Sequence, residues 1–328
     1  MRNPGRSAVT PDTEEATMGR GDIYLQPDAE DPVLSPDTVL GIAAAHTDRA
    51  GTVSEVDESG GEARAYLLDG GVVVKTQRPH RLRPRTSLAK EARLLQHLAG
   101  PLEGLVPEML GYGRTTAPEG DVEYLVISRM PGRATRNMWV TGAERRELLR
   151  QTGRLLVGLH AVPLAPLLAE DGLFPANRDG AALRSRLEAR LADVLDVIAG
   201  RPGSWTLPVP PERVAAQTLD LLPAQFAPVV LHSNPGPTHV FCDTAGTLTG
   251  VIDFGDSFVS HPALDLRAWP DPADRLALRS GYLDGTAQDA ESEAAWTAAM
   301  IWADMAALAG SPGLAEAAAA DLAVRLAG

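Results

Sequence analysis

Lysine is nearly missing from this chain. Of thirty Lys plus Arg residues only Lys75 and Lys90 are lysines, so chemistry that needs a compact ammonium and not a planar guanidinium has two candidates. Cysteine occurs once, as Cys242, which excludes an intramolecular disulfide framework and suits a reducing cytoplasm. Cys242 sits between Phe241 and Asp243 in a strand-like stretch, the setting of a core thiol and not of a nucleophile. No apolar run approaches the ~20 residues that span a bilayer. No apolar segment follows the basic start Met1-Arg2-Asn3-Pro4-Gly5-Arg6 either, so neither a membrane partner nor a signal peptide is expected. Positive charge is in short supply: the formal net charge is −13. Such a surface repels phosphate backbones and argues against nucleic acid as the principal partner. It would suit a cationic small molecule, although an acidic balance also serves solubility alone.

What is present is enough for a globular protein. With 328 residues, 44% of them hydrophobic, the chain can bury a sizeable core in two lobes. Residues 1–34 are rich in Pro, Gly, Asp, Glu and Thr without periodicity and read as a disordered tail, with Met18 as an alternative start. Ser35-Pro36-Asp37 reads as a cap before a helix through Ala45. Strand patterns follow near 52–56, 63–68 and 71–76, then a helix over Lys90–Leu98, then extended stretches Val106–Gly113 and Glu123–Gly132. That is an antiparallel sheet with one helix. Beyond it the periodicity turns helical, over Glu144–His160, about 180–199, about 211–222 and most of 288–328, with a Pro-rich connector at Arg201–Pro211. Trp296, Trp302 and Met305 fall at roughly helical spacing and read as core.

Three places carry polar groups in positions that invite chemistry. Lys75 ends the β-branched run Gly70-Gly71-Val72-Val73-Val74, where a buried strand would present a point charge suited to phosphate. Glu91 stands near the start of the following helix, where it could equally be a favourable partner of the helix dipole. Gly60 and Gly61 precede the lysine strand, and can be read as a hairpin turn or as a loop whose N–H groups approach phosphate oxygens. The richest stretch is Val229–Asp256, in which His232, Asn234 and His239 occupy a loop and Asp253 follows the apolar run Leu248–Ile252. A phosphoryl-transfer site of the kinase type needs a group on the acceptor hydroxyl, a metal ligand five residues later and a second carboxylate on the metal. Those places hold Asn234, His239 and Asp253. The spacing of His232 and His239 across Pro235-Gly236-Pro237 is no standard zinc pattern, and no G-x-S-x-G elbow surrounds Ser233.

The segments His232-Ser233-Asn234-Pro235-Gly236-Pro237-Thr238-His239 and Ile252-Asp253-Phe254-Gly255-Asp256 resemble the H-G-D-x-x-x-x-N and I-D-x-x-D motifs of the aminoglycoside phosphotransferase and choline kinase-like family. The resemblance covers about residues 36 to 328. It implies an α+β, two-lobed protein-kinase-like fold, with an N-lobe over 35–130 and a mainly helical C-lobe over 131–328. It also implies ATP and Mg²⁺ as cofactors. Lys75 would contact the α- and β-phosphates, with Glu91 steadying it and Gly60 and Gly61 in the nucleotide loop. Ile127, Ser128 and Met130 would belong to the hinge that reads the adenine edge. Asn234 and His232 would belong to the catalytic loop, and Asp253 and His239 to the metal site. His261-Pro262-Ala263-Leu264-Asp265-Leu266 resembles the closing D-P-x-x-D-L, which implies that Asp265 braces the catalytic loop through backbone hydrogen bonds. His160, in an L-x-x-L-H-x-V ending, is expected to close a helix C-terminus.

Two positions depart from the motif. A carboxamide at Asn234 cannot take a proton near neutral pH, so general-base help worth ~10²–10⁴-fold is lost, although its oxygen can still accept a hydrogen bond from an acceptor hydroxyl. An imidazole at His239 suits Mn²⁺ better than Mg²⁺, or it could hydrogen-bond a phosphate or Asp253. Some members of the similar family carry a His there. Two functions follow. One is an ATP-dependent phosphotransferase acting on a hydroxyl of a small molecule, with cationic antibiotics and metabolites the classes that the charge suits. The other is a pseudokinase that binds a nucleotide or a partner without turnover. Asp284, Asp289, Glu291, Glu293 and Asp304 could meet amino groups of an acceptor or face water.

Overall fold

The computed structural model describes residues 30–81, 87–118, 120–169, 172–284, 289–310 and 312–327. Residues 1–29 of the expected tail lie outside them. Helix α1 (Pro36–Ala44) starts where Ser35 accepts the Thr38 N–H, with Pro36 pre-set for the first turn. Strands β1 (Val53–Asp57), β2 (Ala63–Leu68) and β3 (Val72–Gln77) follow, then helix α2 (Leu88–Leu98) and strands β4 (Met109–Ala117) and β5 (Gly120–Ser128). The five strands form one antiparallel sheet in the order β1-β2-β3-β5-β4.

Strand alternation divides this sheet into two faces. Tyr66 and Leu68 of β2 and Val72 and Val74 of β3 pack with Val39, Ile42 and Ala43 of α1 into a small core. Lys75 lies on the other face, flanked by Ala65 in β2 and Leu125 in β5. Residues 31–34, counted in the expected tail, are held against the sheet. Leu34 is buried and donates its N–H to the Tyr66 hydroxyl at 3.0 Å, and Asp31 pairs with Arg64 and Arg78. Apolar contact at Leu34 and two buried guanidinium groups outweigh the disorder-prone composition of this segment.

After β6 (Arg133–Ala134) and a 3₁₀ turn at Thr135–Asn137 come α3 (Gly142–His160), α4 (Leu164–Leu167), α5 (Gly180–Ala199) and α6 (Pro211–Asp220). Short strands β7 (Val229–Leu231), β8 (Val240–Cys242), β9 (Leu248–Val251) and β10 (Phe258–Ser260) carry the polar stretch. Helices α7 (Ala263–Leu266), α8 (Pro272–Leu283), α9 (Ala290–Gly310) and α10 (Ala315–Ala327) complete the chain. Helices α3 and α8 cross at close range: a Cβ on Gly153 would lie 2.2 Å from the Leu278 carbonyl, and one on Gly281 would lie 2.0 Å from the Arg150 carbonyl. Trp296, Trp302 and Met305 of α9 are buried in the large core, which also takes in Leu94, Leu95 and Leu98 of α2. Among the described residues no helix is long and apolar enough to cross a membrane.

Candidate active site

Lys75 reaches its partners because β3 aims it away from the small core, toward α2 and the C-lobe. The Ser87 hydroxyl caps α2 by accepting the Lys90 N–H, and the first turn of the helix carries Glu91. The Lys75 Nζ lies 2.5 Å from Glu91 Oε2 and 2.9 Å from Asp253 Oδ1. Glu91 is fully buried, whereas Asp253 is almost half exposed. Burial alone would lower the Lys75 pKa, but the Asp253 and Glu91 carboxylates outweigh it and hold the ammonium charged. Burial pushes Glu91 up, against the pull of Lys75. Burial would also raise Asp253, yet Lys75 and His239 bring it well below the usual carboxylate range.

Asp253 follows β9 with φ at 71°, a left-handed conformation that Asp tolerates better than most residues. Phe254 is buried behind it, and the Ser87 N–H donates to the Gly255 carbonyl at 3.3 Å. The start of α2 is thereby tied to the segment that carries Asp253.

The loop after β7 is braced from below. Asp265 accepts the N–H groups of His232 at 2.7 Å and Ser233 at 2.8 Å, and Ser233 has φ at 83°. Fixed peptide orientations of this kind hold a left-handed residue in place. His160 differs from expectation. Although it is the last residue of α3, its ring sits between Asp265 Oδ2 at 3.2 Å and the Tyr282 hydroxyl at 2.9 Å, so it supports Asp265 instead of closing its own helix.

His232 is buried, with both ring nitrogens engaged. Its Nε2 lies 2.9 Å from the Ile252 carbonyl, which can only accept, so Nε2 carries the proton. Its Nδ1 then accepts the Asn234 N–H at 3.3 Å. Burial lowers its pKa, with His239 adding to the effect, and keeps the ring neutral. Both polar atoms of His232, expected in the catalytic set, are thus engaged by backbone groups of Ile252 and Asn234. Asn234 is exposed at the loop surface. His239 Nδ1 donates to the Asn234 carbonyl at 2.8 Å, which turns Nε2 toward Asp253 Oδ2 at 3.3 Å.

One carboxylate and one imidazole thus face each other at the end of β9. Among the described residues no set of three His, Cys, Asp or Glu side chains could hold a metal ion by itself. Two protein donors fit an ion that also takes phosphate oxygens, as Mg²⁺ bound with a nucleotide does, and do not fit a site closed by protein alone. Gly60 and Gly61 lie in the turn before β2. A Cβ on Gly61 would meet no protein atom within 4 Å, so packing within the protein does not require glycine there.

The amides at the end of β5, where the hinge was expected, differ in their engagement. The Ser128 N–H is taken by the Glu108 carbonyl and the Arg129 N–H by the Gly71 carbonyl, both fixed by the edges of the sheet. Among the described residues the Met130 N–H has no acceptor, while the Ile127 and Met130 side chains are buried. The Ser128 amide is thus engaged within the sheet and the Met130 amide is open.

Several supports were not expected. The Trp269 indole donates to the Pro235 carbonyl at 3.0 Å. The Thr135 hydroxyl and the Arg136 N–H both donate to the Pro237 carbonyl, at 3.0 and 2.9 Å. No local pattern announces such contacts; only the concentration of Pro carbonyls in the loop hints that outside donors are needed. Of the acidic residues expected to meet an acceptor or water, Asp304 does neither, being buried against Arg275. Asp289 accepts the Ser292 N–H at the start of α9, and Glu293 pairs with Arg279.

The profile of the phosphotransferase enzyme family matches residues 54–309. No curated protein sequence matches the chain significantly. Among solved structures, the macrolide 2'-phosphotransferase MphH from Brachybacterium faecium, an apoenzyme, aligns with a TM-score of 0.55 at 22% identity, over 87% of this chain and 98% of that one. The GDP and kanamycin complex of APH(2")-IIia aligns with a TM-score of 0.56 at 15% identity, over 89% and 98%. The streptomycin-ATP-APH(2")-IIa ternary complex aligns at 0.55 and 14% identity, over 88% and 96%. At these identities the likeness is one of fold, a two-lobed kinase-like phosphotransferase architecture. With the family profile matched over most of its length, the chain belongs to the phosphotransferase enzyme family.

Proposed function

We propose that this protein transfers the γ-phosphoryl group of ATP to a hydroxyl of a small molecule, with an antibiotic of the macrolide or aminoglycoside kind as the acceptor class to test first. The single observation that carries the reading is Lys75, held between Glu91 of the N-lobe and Asp253 of the C-lobe at 2.5 and 2.9 Å. Two carboxylates fix one ammonium where a triphosphate would lie, so positioning is built in before the nucleotide arrives. Gly60 and Gly61 would cover the phosphates, and the Met130 N–H would meet the base.

Asp253, with His239 beside it, would hold a divalent ion, which when bound neutralises charge on the phosphates. The imidazole makes Mn²⁺ a natural alternative to Mg²⁺. Asn234, exposed at the loop surface, would accept a hydrogen bond from the acceptor hydroxyl and orient its oxygen. The new bond joins that oxygen to the γ-phosphorus as the bond to the β,γ-bridging oxygen breaks and ADP leaves. The hydroxyl proton passes to an oxygen of the transferred phosphoryl group, because a carboxamide has no basicity to retain it.

Asn234 also supports a second reading, a nucleotide-binding module without turnover. One set of measurements separates the two. ATP consumption is followed with erythromycin, kanamycin and simple alcohols, in Mg²⁺ and in Mn²⁺, alongside ATP binding by calorimetry. Acceptor-dependent ADP release supports transfer. Tight ATP binding with no release by the protein or by Asn234→Asp supports the module. No ATP binding at all ends both.

A further inference from the structure

The face of the nucleotide-side sheet turned away from Lys75 carries a charged cluster that the transfer reaction does not use. Arg64 of β2 is buried on that face. It donates to Asp31 Oδ2 at 2.9 Å, to the Pro32 carbonyl at 2.5 Å and to Glu58 Oε1 at 2.6 Å. Arg78, just past β3, donates to Asp31 Oδ2 at 2.7 Å and reaches the Glu58 carbonyl at 3.5 Å. The Arg78 N–H also donates to the Glu62 carbonyl at 2.9 Å. Glu58 and Glu62 are the two ends of the turn that holds Gly60 and Gly61. The segment carrying Asp31 is itself pinned, by the Leu34 N–H on the Tyr66 hydroxyl.

We propose that Asp31 is a positioning residue for the Gly60–Gly61 turn: the strap at residues 31–34 locks Arg64 and Arg78, and these fix both ends of the turn from the side opposite the nucleotide. The proposal rests on the reading that this turn covers the phosphates. Two guanidinium groups with side chains only 2% and 6% exposed share one carboxylate, and buried charges left without a partner must move toward water or another acid. Arg64 without Asp31 keeps Glu58, 2.6 Å away and half exposed, so it would follow that acid toward water and shift the turn with it. A turn containing two glycines has much conformational freedom to lose on binding, and ordering it beforehand removes that cost from the affinity for phosphate.

The test uses the full chain with Asp31→Asn and Asp31→Glu. Calorimetry measures binding of Mg²⁺-ATP and of adenosine, and hydrogen exchange follows amides 57–63. Asp31→Asn should weaken ATP about 10-fold, leave adenosine unchanged and speed exchange at 57–63, while Asp31→Glu restores most of the ATP affinity. Glu58→Gln, which removes only a half-exposed acid and so spares folding, should produce the same selective loss in smaller measure. Unchanged ATP affinity in both Asp31→Asn and Glu58→Gln overturns the proposal, as does an equal loss of ATP and adenosine. A wild-type protein that binds adenosine and ATP alike would refute the phosphate role of the turn, and the strap's role with it. A wild-type protein that binds neither ends the phosphotransferase reading first.

Discussion

Lys75 and Asp253 stand 178 positions apart in sequence and 2.9 Å apart in space. Nothing in either segment alone requires that meeting. It follows from β3 aiming one side chain at the C-lobe and from the left-handed Asp253 turning its carboxylate back toward the sheet. With Glu91 on the other side, three charged groups form a unit whose parts are worth little separately.

Replacing Lys75 by Met tests that unit twice. ATP affinity should fall by at least tenfold, since the charge on the phosphates is gone. Stability should fall too, because Glu91 would be left buried without its cation, a change worth about 3 kcal/mol or more. The sign of the pH effect is set by Glu91. Its pKa is already raised by burial, and loss of Lys75 raises it further, so the protonated form is tolerated and the charged form is not. Stability of Lys75→Met is therefore lost as pH rises through that raised pKa. Urea midpoints at pH 5 and pH 8 should differ more for the variant than for the parent protein, with the variant weaker at pH 8.

Asn234→Asp should restore a group that can take the hydroxyl proton. With the remaining machinery in place, acceptor-dependent ADP release should rise ~10²–10⁴-fold, with nucleotide affinity little changed. Single-turnover measurement with erythromycin or kanamycin checks this. An unchanged rate across the acceptor panel would remove Asn234 as the reason for slow turnover.

The parts of this site that were legible in the sequence are those written locally. Lys75 follows a β-branched run, Glu91 falls in the first turn of an amphipathic helix, and Asn234, His239 and Asp253 keep the spacing of a loop between short strands. Each of these is a near-neighbour pattern set by strand alternation or helix period. The Asp31 strap, the Trp269–Pro235 bond and the Thr135–Pro237 bond were not legible, because each joins segments through one polar contact that leaves no period. Asp304 illustrates the same limit. Its charge looked like a solvated or substrate-facing group, and only its packing shows Arg275 beside it. The engagement of the Ser128 amide by Glu108 was not legible either: an amide's availability depends on which neighbouring strand edge claims it, and residue type does not record that.

His239 should set the metal preference. With Nδ1 tied to the Asn234 carbonyl and Nε2 turned to Asp253, the ring offers nitrogen where a carboxamide would offer oxygen. His239→Asn should shift preference from Mn²⁺ toward Mg²⁺, since Mg²⁺ favours hard oxygen donors. Mn²⁺ binding in the presence of a non-hydrolysable ATP analogue, followed by electron paramagnetic resonance, should weaken several-fold in the variant. An identical Mn²⁺ affinity would leave His239 as a strut for Asn234 alone.

His261 makes the protein sensitive to acid. It is 6% exposed, stacks edge-on against Phe226, and accepts the Ala263 N–H on Nδ1 at 3.2 Å. Burial first, and His160 second, bring its pKa down to about 4, from about 6.5 in an unfolded chain. A depressed folded pKa means that the unfolded state binds the proton more readily between those values. The contribution is fully present above about pH 6.5 and is lost as pH falls through about 4. Between pH 7 and pH 5 the loss amounts to about 2 kcal/mol, an order-of-magnitude figure from the linkage relation. His261→Asn keeps an oxygen able to accept the Ala263 N–H but cannot take a proton. Urea midpoints across pH 7 to 4.5 should therefore fall less steeply for His261→Asn than for the parent protein. The remaining slope belongs in part to His232, whose burial acts in the same direction. Equal slopes would mean that His261 is solvated enough to titrate alike in both states, and the acid limb would have to be assigned to other groups.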